Sequence, residues 1–142
     1  MKYIGIDIFE DLVKKNTEKY GDEDRISFIC KDIVDDELPN GDLCIIRQVL
    51  QHLDNASINR VLQKTRNYKY VLITEHRTIK EAAIDYNANI RTGQGTRVGI
   101  GSGLYFEEAP FNMHNEVVLR IPYESENRCI RQELVTCLFV ND

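Results

Sequence analysis

The chain has 142 residues, of which 42% are hydrophobic and 29% are charged, and its formal net charge is −5. This length predicts one domain over residues 1–142, since one core commonly serves about 100–200 residues. The ordinary apolar content, with 3 prolines and 8 glycines, excludes a disordered, collagenous or fibrous protein. No apolar run has the length of a membrane span and the N-terminus shows no signal peptide, which predicts a cytoplasmic protein.

The acidic excess is confined to the first part of the chain. Residues 1–60 contain 8 basic and 13 acidic side chains, a balance of −5, whereas residues 61–142 contain 10 of each, a balance of zero. Neither part has the basic field that binding to nucleic acid or to an acidic membrane surface requires. We therefore expect neither partner.

The cysteines and histidines do not form a metal-binding pattern. No two cysteines have C-x-x-C spacing and no two histidines have H-x-x-x-H spacing, so we expect no metal and reduced cysteines. The residues concerned are Cys30, Cys44, Cys129 and Cys137, with His52, His76 and His114.

Short apolar runs and helical periods alternate from the N-terminus onward. Tyr3–Ile6 predicts a strand, and the apolar stripe over Phe9–Tyr20 predicts a helix that ends at Gly21. A second strand is predicted over Ile26–Cys30. An acidic loop follows and ends in an Asn-Gly turn.

The middle of the chain repeats the alternation. Leu43–Ile46 is apolar on both faces, as expected of a strand covered by helices on each side. Asn55 is predicted to cap a helix over Ala56 to about Arg66, and Tyr70–Thr74 predicts another doubly apolar strand.

The last part of the chain does not continue this regular alternation of strands and helices. Thr78–Glu81 has the pattern of a capping box and predicts a helix toward Asn89. Five glycines lie in the aperiodic stretch Gly93–Gly103. The final predicted elements are strands over Glu116–Tyr123 and about Arg128–Val140, joined by the polar turn Glu124–Asn127. Together the elements predict an α/β protein, Rossmann-like, with a mostly parallel sheet and a C-terminal antiparallel hairpin.

Two acidic residues occupy equivalent positions in successive β–α units. Asp7 and Asp32 each follow a predicted strand, and ligands of open parallel sheets bind at the carboxyl ends of the strands. One carboxylate can accept hydrogen bonds from both hydroxyls of a ribose, and the other from the exocyclic amine of adenine. The alternative for each aspartate is a helix N-cap or a solvated turn.

Three segments carry a resemblance to a known family. They are YIGIDI at residues 3–8, ICKDI at residues 29–33 and DLCIIRQVLQHL at residues 42–53. In order and spacing these segments resemble the second to fourth strands of class I S-adenosylmethionine-dependent methyltransferases. Tyr70–Glu75 fits the fifth strand, and the terminal hairpin is similar to the family's sixth and seventh. The resemblance covers nearly the whole chain.

The resemblance implies S-adenosylmethionine as the cofactor. It assigns Asp7 to the ribose hydroxyls and places Ile8 against the adenine. Asp32 would meet the adenine amine, with the backbone N–H of Ile33 nearby.

The same resemblance assigns residues of the fourth-strand segment to the other end of the cofactor. Arg47 and Gln48 would line its methionine portion, and His52 would lie close by. His52 and His76 are both candidate bases, and the sequence does not choose between them or show that a base is needed.

One departure from the family pattern is large. The family's first strand, central in its sheet, and the Gly-rich loop that follows it should precede Tyr3, but the chain begins at Met1. The resemblance therefore implies that the second and fourth strands have unpaired inner edges. We expect a fragment or a reading frame that starts late, although a second chain filling the gap or direct pairing of the two strands is also open.

Residues 90–115 are predicted to be a Gly-rich insertion or lid. The G-x-G-x-G run at Gly99–Gly103 does not follow a clear strand or open a helix, which disfavours it as the missing loop. Tyr105, Phe106 and Phe111 are candidate acceptor-binding residues. The alternative is that these aromatic side chains pack the insertion onto the sheet.

These observations favour methyl transfer from S-adenosylmethionine to a small-molecule acceptor, by a chain that is truncated and inactive in isolation if the missing strand is required. The alternative is a non-enzymatic, methyltransferase-like interaction domain that oligomerises through open sheet edges. A nicotinamide-dependent reductase is disfavoured because the chain has no Tyr-x-x-x-Lys and no G-x-G-x-x-G after a strand.

Overall fold

A computed structural model of the chain describes residues 1–22, 24–123 and 131–141. The described residues divide into two compact units, residues 1–40 and residues 41–142. Within the described ranges, no helix combines the length and apolar composition needed to cross a bilayer.

The first unit is a two-stranded parallel sheet with one helix. Strand β1 (Tyr3–Asp7) leads into helix α1 (Glu10–Tyr20), which returns to strand β2 (Ile26–Cys30). The parallel register runs from Tyr3 opposite Ile26 to Asp7 opposite Cys30. All three elements match their predicted positions, because each carries a clear period of apolar residues.

Glycine at two positions of this unit allows close contacts. The ring of Phe28 lies across Gly5 on the neighbouring strand, where a Cβ atom would come within 2.5 Å of the ring. The N–H of Gly21 donates to the carbonyl of Thr17 over 2.9 Å and ends α1, as predicted. A Cβ at Gly21 would stand 2.4 Å from that carbonyl oxygen.

The second unit contains one helix and a mixed sheet of four strands. The sheet has the order β3-β4-β6-β5, in which β3 and β4 are parallel and the other neighbouring pairs are antiparallel. The elements are β3 (Leu43–Arg47), α2 (Asn55–Thr65), β4 (Tyr70–Thr78), β5 (Glu116–Tyr123) and β6 (Gln132–Val140). The α/β class and the antiparallel C-terminal strands are thereby confirmed. The predicted turn over 124–127 and the predicted start of the last strand lie outside the described residues.

One face of this sheet is buried and the other is open. Val71 and Ile73 of β4 are buried together with Val135, Cys137 and Phe139 of β6. Alternate residues of the strands point the other way, where Ile45 is 61% exposed, Leu119 50% and Ile121 46%. The prediction that β3 is covered on both faces is therefore wrong, although its apolar composition is what a covered strand would have.

The capping box at Thr78–Glu81 does not open a helix, so that prediction is also wrong. Strand β4 continues four residues beyond Thr74, and Thr78 is its last residue, buried and paired with Gln132. Pairing along β6 overrides the local helix signal. Two short 3-10 turns stand in the stretch that follows, at Lys80–Ala82 and Val98–Ile100.

Helix α2 is capped one residue earlier than predicted. The carboxylate of Asp54 accepts a hydrogen bond from the backbone N–H of Ser57 over 2.8 Å, whereas Asn55 is the first helical residue. The predicted inward residues are buried as expected: Ile58, Val61, Leu62 and Thr65.

Each of the two sheets also has free strand edges. Among the described strands, β1 pairs only with β2, and β3 pairs only with β4. That a further strand belongs against these edges stays a prediction.

Candidate functional site

Asp7 and Asp32 lie at the same edge of the first unit's sheet. Asp7 ends β1 opposite Cys30, and the N–H of Lys31 donates to the Asp7 carbonyl over 3.0 Å. Asp32 follows Lys31 directly. Parallel strands present their carboxyl ends at one edge, so both acidic residues lie where the sequence predicts them.

Each carboxylate also has a local structural role through one oxygen. Oδ1 of Asp7 accepts from the N–H of Phe9 over 2.9 Å, and Oδ1 of Asp32 accepts from the N–H of Val34 over 2.7 Å. Within the part of the chain that the structure describes, Oδ2 of Asp7 and Oδ2 of Asp32 have no hydrogen-bond partner. Each aspartate therefore stabilises its own turn and keeps a lone-pair-bearing oxygen for a ligand hydroxyl or amine.

The two isoleucines beside these aspartates differ in exposure. Ile8 is 59% exposed, whereas Ile33 is half-buried. An exposed branched side chain next to Asp7 provides an apolar surface for a flat ring. Contact with adenine stays a prediction for both residues.

The turn after β3 carries the other predicted cofactor residues. Arg47 ends β3 beside Thr74 and is exposed, and Gln48 follows it in the left-handed region with φ of 54°. The N–H of Gln48 donates to the Thr74 carbonyl over 2.8 Å. A non-glycine residue in this region costs free energy and persists only where neighbouring contacts enforce it.

Both ring nitrogens of His52 have polar neighbours. Nδ1 lies 3.1 Å from the carbonyl oxygen of Gly95, and Nε2 lies 3.3 Å from Nε2 of Gln51. The N–H of Gly93 donates to the His52 carbonyl over 3.0 Å. His52 therefore joins the Gly-rich segment to the turn after β3, and these bonds compete with a role as base.

His76, the other candidate base, has different surroundings. It lies on β4 with its ring centroid 4.6 Å from that of Tyr123. Burial lowers its pKa, with partial compensation by a hydrogen bond to Gln132, and Nε2 has no partner among the described residues. Successive strand residues face opposite sides, so His76 faces away from the side on which Glu75 lies.

Glu75 is a buried carboxylate that sequence reasoning did not select as a site residue. It is 2% exposed, and it accepts hydrogen bonds from three successive backbone N–H groups of the turn after β3. Oε1 lies 3.2 Å from the nitrogen of Val49 and 2.9 Å from that of Leu50, and Oε2 lies 3.3 Å from that of Gln51. Burial raises the pKa of Glu75 to about 7, against the opposing effects of these bonds and of the Arg97 charge.

Arg97 binds the same turn through its carbonyl groups. Arg97 is 1% exposed, and its Nη1 donates to the Gln51 carbonyl over 3.1 Å while Nη2 donates to the Leu53 carbonyl over 2.8 Å. Burial lowers the pKa of Arg97 to about 10, with Glu75 acting in the opposite direction. Arg97 therefore stays protonated at neutral pH.

The predicted acceptor-binding aromatics are core residues. Tyr105 and Phe106 are almost completely buried, and Phe111 is 8% exposed. The Tyr105 hydroxyl donates to the Thr78 carbonyl over 2.6 Å, and the Phe106 ring packs edge-on against Phe139 with centroids 5.3 Å apart. Packing is the role that the structure shows for these side chains, and acceptor contact by them stays a prediction.

Phe111 also lines an open groove of about 470 Å³. Val140 lines the same groove and pairs with Tyr70 at the beginning of β4. The groove thus lies beside the beginning of β4, whereas Glu75 lies further along the strand. The described residues contain no group of three or more His, Cys, Asp or Glu side chains that could hold a metal ion.

Comparison with known proteins identifies the fold. No protein-family model and no curated protein sequence matches the chain. Among solved structures it is similar to the N-methyltransferase NodS from Bradyrhizobium japonicum, with a TM-score of 0.59 and 12% identity over 99% of this chain and 74% of that one. The fold is that of class I S-adenosylmethionine-dependent methyltransferases. NodS has also been solved in complex with S-adenosyl-l-homocysteine.

Two further structures show the range of proteins with this fold. A S-adenosylmethionine-dependent methyltransferase from Methanosarcina mazei matches with a TM-score of 0.61 and 11% identity, over 98% of this chain and 82% of that one. The [4+2]-cyclase SpnF matches with a TM-score of 0.62 and 12% identity, over 100% and 68% respectively. Since one of these proteins is a cyclase, the fold by itself does not define the reaction.

Proposed function

We propose that the chain binds S-adenosylmethionine and transfers its methyl group to a small-molecule acceptor. The observation that carries the proposal is the pair Asp7 and Asp32, which end successive strands at one sheet edge, each with one carboxylate oxygen that has no described partner. The similarity to methyltransferases, including one solved with S-adenosyl-l-homocysteine, supports the same ligand.

The four predicted cofactor residues of the first unit each have a defined part in this proposal. Asp7 accepts hydrogen bonds from the ribose hydroxyls, and Ile8 lies against one face of the adenine. Asp32 accepts from the adenine amine, and Ile33 lies near the adenine ring. A carboxylate is suited to the first and third tasks because it accepts and does not donate.

For the methionine portion of the cofactor, the proposal keeps the residues that the family resemblance assigns, which lie at the end of β3 and in the turn after it. Arg47 is exposed at the end of β3, where its guanidinium can pair with a carboxylate. Gln48 and His52 complete this part of the proposed site. When bound, the cofactor supplies an electrophilic methyl group on a sulfonium, and the chain's contribution is to hold the acceptor in line with it.

The test of this proposal is calorimetric titration of the chain with S-adenosyl-l-homocysteine. We expect binding at one site and a loss of affinity of about tenfold or more in Asp7→Ala and in Asp32→Ala, because each loses a hydrogen bond to a charged group. Asp11→Ala is the matched control, since Asp11 is an exposed acidic residue of α1 that we assign no ligand contact. Equal affinity in all three variants would contradict the assignment.

A non-enzymatic interaction domain is the second candidate, and the open face of the four-stranded sheet favours it. Ile45, Leu119 and Ile121 expose about half or more of their side chains there, and large apolar patches mark interaction surfaces. This candidate predicts a stable oligomer in light scattering and no effect of Asp7→Ala or Asp32→Ala on any activity. A monomer that binds the nucleoside would exclude it.

A further inference from the structure

The turn between β3 and α2 has a conformation that its own sequence does not favour. Gln48 has a positive φ of 54°, and Val49 follows at φ −110° and ψ −49° before the 3-10 turn Leu50–His52. Its residues contain no glycine, and the side chain of Val49, the residue that precedes the 3-10 turn, makes no capping hydrogen bond. Contacts from distant parts of the chain must therefore fix this conformation.

Glu75 satisfies the N–H side of the turn. The N–H groups at the beginning of a helical turn have no partner within that turn. Here Val49, Leu50 and Gln51 donate all three to the two oxygens of one carboxylate, over 2.9 to 3.3 Å. An ionised carboxylate is the one side chain that accepts at both oxygens and donates nothing.

Arg97 satisfies the carbonyl side of the same turn. Besides its bonds to Gln51 and Leu53, Nη2 donates to Oδ1 of Asn55 over 2.8 Å, and Nε donates to the Ala88 carbonyl over 2.8 Å. The planar guanidinium reaches several acceptors at fixed angles, which a lysine ammonium at the same position cannot do. Arg97 thus links the turn to the segment that leads into the Gly-rich stretch.

We propose that Glu75 and Arg97 are a pair of positioning residues that hold the turn over residues 48–55 in its cofactor-binding conformation, a role that rests on the proposed function for its ligand. The carboxylate orients the N–H groups and the guanidinium orients the carbonyls, so the side chains of Gln48 and His52 are presented in one arrangement. Neither Glu75 nor Arg97 contacts the cofactor in this account.

The experiment combines amide hydrogen exchange with calorimetric titration of S-adenosyl-l-homocysteine at pH 8, using the 142-residue chain. Glu75→Gln retains the size of the side chain but places an amide NH2 against the N–H groups of the turn. Arg97→Lys retains the positive charge but loses the planar guanidinium, which binds several carbonyl groups at once. We expect both variants to speed exchange at residues 49–51 about tenfold relative to Val71 and Ile73 and to weaken binding by a similar factor.

Arg77→Lys is the matched control. Arg77 lies on β4, like Glu75, and it is buried and ion-paired, but it bonds Glu133 and not the turn. This variant should lower the melting temperature without either selective effect. Unchanged exchange at 49–51 in both test variants overturns the proposal, as does an equal increase in Arg77→Lys. If Glu75→Gln does not fold, Arg97→Lys decides. If the unmodified chain binds no S-adenosyl-l-homocysteine, the proposed function fails and the exchange result alone decides whether the pair holds the turn.

Discussion

Replacing Glu75 by glutamine should change how the free energy of unfolding depends on pH. Burial raises the pKa of the folded carboxyl from 4.5 to about 7, so between these values the folded chain binds a proton that the unfolded chain has released. Stability contributed by the protonated group is therefore fully present below pH 4.5 and is lost as the pH rises to 7. At about 1.4 kcal/mol for each unit of pKa, the loss is about 3–4 kcal/mol.

Urea denaturation followed by circular dichroism at pH 5, 6, 7 and 8 measures this effect. The quantity of interest is the free energy of unfolding of the unmodified chain minus that of Glu75→Gln, because the contribution of His76 is common to both proteins and cancels in the difference. We expect this difference to fall with rising pH and to level off above pH 8, while Glu81→Gln, an exposed glutamate, shows no such fall. A difference that rises with pH would refute the reasoning, because the three N–H bonds and Arg97 would then outweigh burial.

Three further predictions concern stability. Ile58→Ala removes a completely buried side chain of α2 and should lower the free energy of unfolding by about 2–5 kcal/mol in urea titrations. Gly103→Ala should lower the melting temperature and Gly99→Ala should not, because a Cβ would lie 2.2 Å from Cβ of Arg77 in the first case and meet nothing within 4 Å in the second. Asp54→Ala should lower the melting temperature at pH 7, and this loss should shrink below pH 4 because hydrogen bonds hold the pKa of Asp54 near 2. Equal melting temperatures of the variant and the unmodified chain at pH 7 would contradict the role of Asp54 as the N-cap of α2.

The elements that could be predicted are those whose pattern of apolar residues lies within a single segment of the sequence. The apolar runs of β1 and β2 and the stripe of α1 lie within a residue of their predicted bounds, since each signal is complete within its own segment. The extension of β4 to Thr78 was not predictable in this way. It depends on pairing with Gln132, a residue 54 positions later, which overrides the capping box.

The candidate site also combines residues that the local sequence predicts with residues that depend on distant contacts. Asp7 and Asp32 were predictable because their position relative to a strand is a local feature of the sequence. Glu75 and Arg97 were not predictable, because they bond to a turn that lies more than 20 residues away from each. The available signal was a glutamate directly after the apolar run Tyr70–Thr74, since a carboxylate that is buried at the end of a strand requires hydrogen-bond donors nearby.

The most direct test of the central claim is the affinity of the chain for S-adenosyl-l-homocysteine, measured calorimetrically for the unmodified protein and for Asp7→Asn, which keeps the size of the side chain and one of its oxygens. The account predicts binding at one site by the unmodified protein and a loss of about tenfold or more in the variant. Absence of binding by the unmodified protein, or equal affinity of the two, would contradict it.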